Sequence, residues 1–495
     1  MDHPRDPGTP LVLLLCALGV ALAQTVVVPA LPLFQRRLGV DPSGAAWLLT
    51  AFMLASAVAT PIAGRLGDLV GYRRVMVGCL LCLVVGSGLA AVADRGGSFA
   101  GMTVGRVVQG LSGGAFPLAF GLARRRVPER RLPGVVAALS AMFGVGGALG
   151  MAVAGPLADA LGTASLFLLT LALALPALAG ILVLRPDADS GPESHPDSGP
   201  ESHPDSRTRT SLDLPGAFLL AVTLVALLLG ISQGRTWGWT TPLTLGVLCG
   251  ALVLGGGFVV TELRSAAPLL DMRLLRGREL AATHTATVVI SVAMFSAVTL
   301  IPQFVQTPSS AGYGFGASAS RTGLVIAPMA VCMLLAVPVC ARLAARTGNG
   351  TTFRIGAALA ALALFWLGAV HDRLWHFLVA GAVLGTAYGF AFASLGGLVV
   401  AAVPAERTGA ATGVNTILRT IGGAAGAQLA TAIVTGSMGA PPAALPTEAG
   451  YSSAFYAASV TAALALLMSV SISVSMRGRG RGRSRSRNLS GVTGR

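Results

Sequence analysis

The chain is 495 residues long, 54% hydrophobic and 11% charged, with a mean hydropathy of +0.74. Soluble proteins carry about 25% charged residues, so lipid rather than water must surround most of this chain, and a soluble enzyme is excluded. The formal net charge is +15, and every one of the 35 basic residues is Arg. The six Cys lie inside apolar runs without metal-ligand or disulfide spacing; even the Cys79-x-x-Cys82 pair reads as small buried hydrophobes, and no metal site is expected.

A bilayer core about 30 Å thick needs roughly 20 apolar residues per helix. Fourteen stretches meet that need, near residues 10–33, 44–63, 75–93, 98–123, 134–157, 164–184, 214–232, 242–261, 281–304, 321–341, 353–370, 375–402, 410–436 and 454–475. They are called spans 1 to 14 below. With both termini in the cytoplasm, 27 Arg fall in inner segments and 6 in outer loops, while Arg106 and Arg419 lie within spans. Basic loops stay cytoplasmic, so this split fixes the expected orientation and accounts for the net charge without nucleic acid.

Taken in order, span 1 carries Gln24 within Leu22-Ala-Gln-Thr-Val-Val-Val-Pro-Ala-Leu-Pro32. Spans 2 and 3 are joined by Gly64-Arg-Leu-Gly-Asp68-Leu-Val-Gly71-Tyr-Arg73-Arg74. Its glycines permit a tight turn and close helix approach, and Asp68 can accept hydrogen bonds from a neighbouring helix N-terminus and pair with Arg73 or Arg74. That combination predicts a latch that forms when the inner ends of two helix bundles meet. Span 4 contains Arg106 with Gln109 one turn along. An unpaired charge at the bilayer centre costs about 2.5 to 3.5 kcal/mol even on lenient scales, so Arg106 is expected to face an aqueous cavity or a partner. Span 5 carries a Gly run ending at Gly150, then Gly155-Pro156, which predicts close packing and a helix bend.

The chain also repeats itself. Pro61-Ile-Ala-Gly-Arg-Leu66, closing at Gly71, recurs 277 residues later as Pro338-Val-Cys-Ala-Arg-Leu343, closing at Gly348, and the glycine-rich segments of spans 4 and 5 recur in spans 12 and 13. Spans 1 to 6 and 9 to 14 are therefore expected to be two copies of one six-helix unit around a central cavity. The predicted organisation is an N-terminal bundle (1–184), a linker (185–213) with a tandem Asp-Ser-Gly-Pro-Glu-Ser-His-Pro repeat, two inserted spans and an interfacial loop (214–280), a C-terminal bundle (281–476) and an Arg-rich tail (477–495). The linker composition cannot bury a core. The tail is expected to lie on anionic lipid rather than bind RNA. In span 13, Asn415 and Arg419 stand at i and i+4 on one face and are expected to line the cavity.

The 64–74 loop resembles the signature loop of the major facilitator superfamily, the Arg106 segment its second motif, span 5 the antiporter motif of its exporters, and span 1 the first-span pattern of the fourteen-span drug:proton antiporters. The resemblance implies an all-α membrane fold in a bacterial plasma membrane. It further implies a monomeric secondary transporter exporting an amphiphilic small molecule, such as a drug, antibiotic or metabolite, by proton antiport and alternating access, with no cofactor beyond the proton gradient. The sequence departs from that family where Leu69 follows Asp68 and where Ala23 occupies a usual Asp position. No acid lies deep in any span, so coupling would fall to Asp68, Asp159, His284 or a water at Arg106. With two Arg and no carboxylate expected in the cavity, anionic or neutral substrates fit better than cations. The missing acid also leaves open an importer or uniporter of a small solute without proton coupling.

Overall fold

The computed structural model describes residues 8–40, 42–184, 213–265, 277–403, 408–437 and 445–490, the last stretch by backbone alone from residue 470. The tandem repeat, most of the 264–279 loop and Arg407 lie outside these residues. All the described regular structure is helical. Thirteen helices among the described residues are long and apolar enough to cross a membrane. The stretch expected as span 4 is instead two helices, Phe99–Gly110 and Ala115–Arg126, hinged by a 3-10 turn over Leu111–Gly114. Span 1 is also interrupted: its first helix ends at Thr25, and a 3-10 turn over Val28–Ala30 leads into Leu31–Leu38. Pro29 has no N–H to continue the ladder. Span 5 runs unbroken from Leu132 to Leu161 with Pro156 inside it.

Helix starts are fixed by side chains that satisfy orphan amides. Ser98 accepts from the Gly101 amide at the head of span 4, Asp213 from Gly216 at span 7, Thr241 from Thr244 at span 8, and Ser318 from Arg321 at span 10. The turn between spans 2 and 3 uses Gly71 at φ 102°, and the turn between spans 10 and 11 uses Gly348 at φ 84°. These are the closing glycines of the sequence repeat, placed where an L side chain would be strained.

The exterior is apolar to a degree water would not tolerate. Leu252 and Val253 of span 8 (Pro242–Arg264) are 72% and 74% exposed, and Leu335 of span 10 (Ala319–Thr347) is 62% exposed. Such faces belong against acyl chains.

Span 2 (Pro42–Val70) packs on span 13 (Thr408–Gly436), and span 5 packs on span 10; under the repeat these two pairs are equivalent. Both crossings are close because glycines remove side chains. A Cβ on Gly155 would sit 2.4 Å from the Ala319 carbonyl, and one on Gly323 would sit 2.3 Å from that of Ala152. The inserted span 7 (Leu214–Trp237) lies against spans 2 and 13 together, with Leu220, Leu224 and Leu228 packed in one cluster with Ala57, Val414 and Ile417.

Candidate functional site

A cavity of about 370 Å³ lies between the two six-helix sets. Its wall comes from spans 1, 2 and 5 on one side, from span 9 (Arg278–Gln306) and spans 10 and 13 on the other, and from Leu228 and Ser232 of the inserted span 7. The polar lining is made of amides and hydroxyls: Gln24, Thr25, Thr50, Ser232, Thr299, Gln303, Gln306, Thr322 and Gln428. Among the described residues lining it, none is ionisable. Ser232 joins both sides. Its hydroxyl is 3.1 Å from that of Thr50, and its carbonyl accepts from Gln428 Nε2 at 3.3 Å.

Every lining residue of spans 2 and 13 lies toward the helix end away from the 64–74 loop. Toward that loop the two sets are sealed. Gly64 and Gly409 meet so closely that a Cβ on Gly64 would stand 3.2 Å from the Gly409 carbonyl, and one on Gly409 would stand 3.1 Å from Asp68 Oδ1. Asp68 therefore sits at the N-terminal turn of span 13, where the helix dipole favours a carboxylate. It accepts a short hydrogen bond from the Tyr72 hydroxyl, and Arg65 and Arg125 are the cations acting on it. Arg125 lies 4.8 Å above the Tyr72 ring. Arg73 was expected to pair with Asp68, but it donates to the Ile181 and Leu182 carbonyls at the end of span 6 (Ala164–Val183), capping that helix. Arg74 also has a bonded or charged partner.

Arg124 seals the same end. Its Nη1 donates to the Val400 and Val403 carbonyls at 2.9 and 3.0 Å and to the Thr408 hydroxyl at 2.7 Å, linking span 4 to the junction of spans 12 and 13. Arg419 adds a third link, donating to the Ser140 carbonyl at 3.1 Å with its guanidinium 4.9 and 4.3 Å from the rings of Phe143 and Phe392. Asn415, one turn away, donates to Thr287 of span 9.

Of the five residues expected in the cavity, only Gln24 is in its wall; Arg106, Gln109, Asn415 and Arg419 are buried away from it. Arg106 is fully enclosed directly behind Gln24. It donates to the carbonyls of Leu48 (2.7 Å), Ala23 (2.8 Å) and Gln24 (3.5 Å) and to Gln109 Oε1 (2.6 Å), over the Phe52 ring. Gln109 in turn donates to the Ser87 hydroxyl. The reason lies in span 1: Ala23 and Gln24 belong to the last turn before the break at Thr25, where carbonyls lack intrahelical partners and the dipole is negative. Arg106 is their cap. Arg419 is withdrawn in a similar way, into the inter-bundle seal. Gly150 packs against Thr25, and Gly155 with Pro156 belongs to the span 5 end that crosses span 10.

The sequence did not single out Gln303, inside the expected span 9, or Gln306, just beyond its expected end. It also missed Thr50 and Ser232, single hydroxyls in apolar runs, and Arg124, which read only as a topology charge. The other acid considered for coupling, Asp159, is exposed and accepts a short hydrogen bond from Ser320 across the two sets.

Two helix bundles packed through equivalent pairs around a cavity sealed at one end have the architecture of a membrane transporter. Comparison with known proteins supports that class: the family model of the Major Facilitator Superfamily matches residues 13–427 and 285–491. The chain belongs to the major facilitator superfamily. It is 31% identical over 418 residues to an uncharacterized MFS-type transporter of Mycobacterium tuberculosis, a match covering 82% of this chain and 56% of that longer protein. It is 26% identical to the tetracenomycin C resistance and export protein of Streptomyces glaucescens (85% and 74% covered) and 27% identical to a probable actinorhodin transporter of Streptomyces coelicolor (88% and 76% covered). In fold it resembles the human organic anion transporter MFSD10, with a TM-score of 0.62 at 17% identity over 94% of this chain and all of that one.

Proposed function

We propose that this protein exports amphiphilic small molecules across the plasma membrane by alternating access coupled to proton antiport, with both termini cytoplasmic. The observation that carries the reading is the cavity, lined by both bundles and closed toward the Arg-rich loops by Asp68, Arg124 and Arg419. With those loops inside, this is an outward-facing arrangement, the one from which an exporter releases its cargo. The names of the tetracenomycin and actinorhodin relatives support export as the direction. Asp68 and Asp159 are the acids that stand at inter-bundle contacts, on opposite ends of the transport path. Each would change its surroundings as the bundles rock, as a coupling group must.

The test is substrate accumulation in inverted membrane vesicles with and without an imposed pH gradient, comparing wild type with Asp68→Asn and Asp159→Asn. Accumulation that follows the gradient and collapses in one of the variants is expected. Transport indifferent to the gradient would remove antiport and favour the second reading, a uniporter or importer of a small solute, which the absence of ionisable groups among the described cavity residues supports.

A further inference from the structure

We propose that the cavity selects uncharged, hydrogen-bonding amphiphiles, read by the side-chain amides of Gln24, Gln303, Gln306 and Gln428. The proposal rests on the reading of this cavity as the transport site. Two facts carry it. First, neither buried guanidinium that could meet an anion lines the cavity. Arg106 is spent on the carbonyls of spans 1 and 2, and Arg419 lies in the seal between Phe143 and Phe392. A carboxylate or an ammonium entering the cavity would therefore lose its hydration without meeting a countercharge, and burying an unpaired charge is far more costly than burying a polar neutral group.

Second, the amides are unspent. No protein group bonds the side-chain amides of Gln24, Gln303 or Gln306 among the described residues, and Gln428 uses one donor on Ser232. They come from both bundles: Gln24 from span 1, Gln303 and Gln306 from one face of span 9, and Gln428 from span 13. Each offers two N–H donors and a carbonyl acceptor, so the four together match a ligand that carries carbonyls, hydroxyls or carboxamides. The surrounding wall of Met53, Met151, Phe295 and Ile326 is apolar and takes the ligand's rings or chains. A few placed polar groups in an apolar pocket of this size set orientation and specificity.

The experiment uses the full chain purified in lipid nanodiscs and three fluorescent probes on one scaffold: anthracene-2-carboxamide, anthracene-2-carboxylate and anthracen-2-ylmethyl-trimethylammonium, with plain anthracene as a reference. Binding is read by fluorescence anisotropy. Wild type is expected to bind the carboxamide at least about tenfold more tightly than either charged probe. Gln303→Leu and Gln428→Leu are each expected to weaken the carboxamide by about three- to tenfold, the loss of one neutral hydrogen bond, while anthracene binds at least as tightly to the more apolar wall, and an unaltered elution profile on size exclusion reports that the variants are folded. Gln303→Glu is expected to raise affinity for the ammonium probe by about tenfold. Equal or tighter binding of a charged probe by wild type, or carboxamide affinity indifferent to both Leu variants, overturns the proposal. Uptake of the same probes into inverted vesicles separates the two readings. Selective binding of the carboxamide without transport sinks the exporter and leaves the selectivity standing, whereas transport of the ammonium probe as fast as the carboxamide sinks the selectivity alone.

Discussion

Arg419 of span 13 donates to the main-chain carbonyl of Ser140 in span 5, so a cation from one bundle is held by a dipole of the other, between two phenyl rings. Among the described residues this is the hydrogen bond that Arg419 makes, and its buried Nε has no partner, so under the proposed alternating access the link can break without separating an ion pair. Contacts of an arginine over desolvated rings contribute up to about 2 kcal/mol, and its hydrogen bond about 1.5 to 3. Arg419→Gln is therefore expected to raise the population with separated inner ends by at least about tenfold. Spin labels at the exposed Arg131 and Arg346, in a background with the native cysteines replaced, would show the shift as a longer distance peak. An unchanged distance distribution would contradict the role.

Arg124 makes the parallel prediction for the other half of the seal. Arg124→Gln removes donors from the Val400 and Val403 carbonyls and from Thr408. A cysteine introduced one turn along at Gly413, where a Cβ meets nothing closer than 3.7 Å, should then react with a membrane-impermeant maleimide applied from the cytoplasmic face about tenfold faster than in the parent. Equal rates would show that the carbonyls find other donors.

Arg106 acts on stability rather than on ligand affinity. Arg106→Ala leaves the Ala23, Gln24 and Leu48 carbonyls and the Gln109 amide without their donor in a dry interior, at about 1 to 3 kcal/mol for each group left unsatisfied. The variant is expected to melt at least about 5 °C lower in detergent. Arg106→Lys keeps the charge and part of the bonding and should recover some of that loss. A variant with unchanged melting but lost ligand binding would return Arg106 to the cavity.

Gly155→Ala tests the crossing of spans 5 and 10. The new methyl would stand 2.4 Å from the Ala319 carbonyl, so the helices must separate, at about 1 to 3 kcal/mol. Gly88→Ala on span 3 (Tyr72–Arg95) meets nothing within 4 Å and is expected to be neutral or slightly stabilising by helix propensity. Thermal unfolding of the pair distinguishes a steric effect from a general intolerance of alanine.

The helical class and the apolar stretches were legible in the sequence because hydropathy acts locally, while the breaks in spans 1 and 4 were not. The repeat even anticipated a matched backbone feature, the positive φ of Gly71 and Gly348. The cavity was only partly legible. Sequence could say that Arg106 must avoid lipid, but most of its acceptors are main-chain carbonyls, two of them at the break of span 1 and one on span 2, and carbonyls have no letter in a sequence. The same applies to Arg124 and to Arg419, whose acceptors belong to distant spans. Gln306 fell two residues beyond the expected end of span 9, and Gln303, inside it, carried no signal that it faces a cavity. The sequence offered Asp68 the partners Arg73 and Arg74, whereas its hydrogen-bond donor is Tyr72 and Arg73 is drawn away by the end of span 6.

The inserted span 7 has one more consequence. Spans 1, 2 and 5 are the repeat counterparts of spans 9, 10 and 13, so without the insert the backbone of the cavity wall would be pseudo-twofold and only its side chains would distinguish one orientation of a bound molecule from the other. Leu228 and Ser232 come from outside the repeat and stand on one flank. They add to one flank a surface with no counterpart on the other, so that a ligand lacking symmetry of its own would be held one way round.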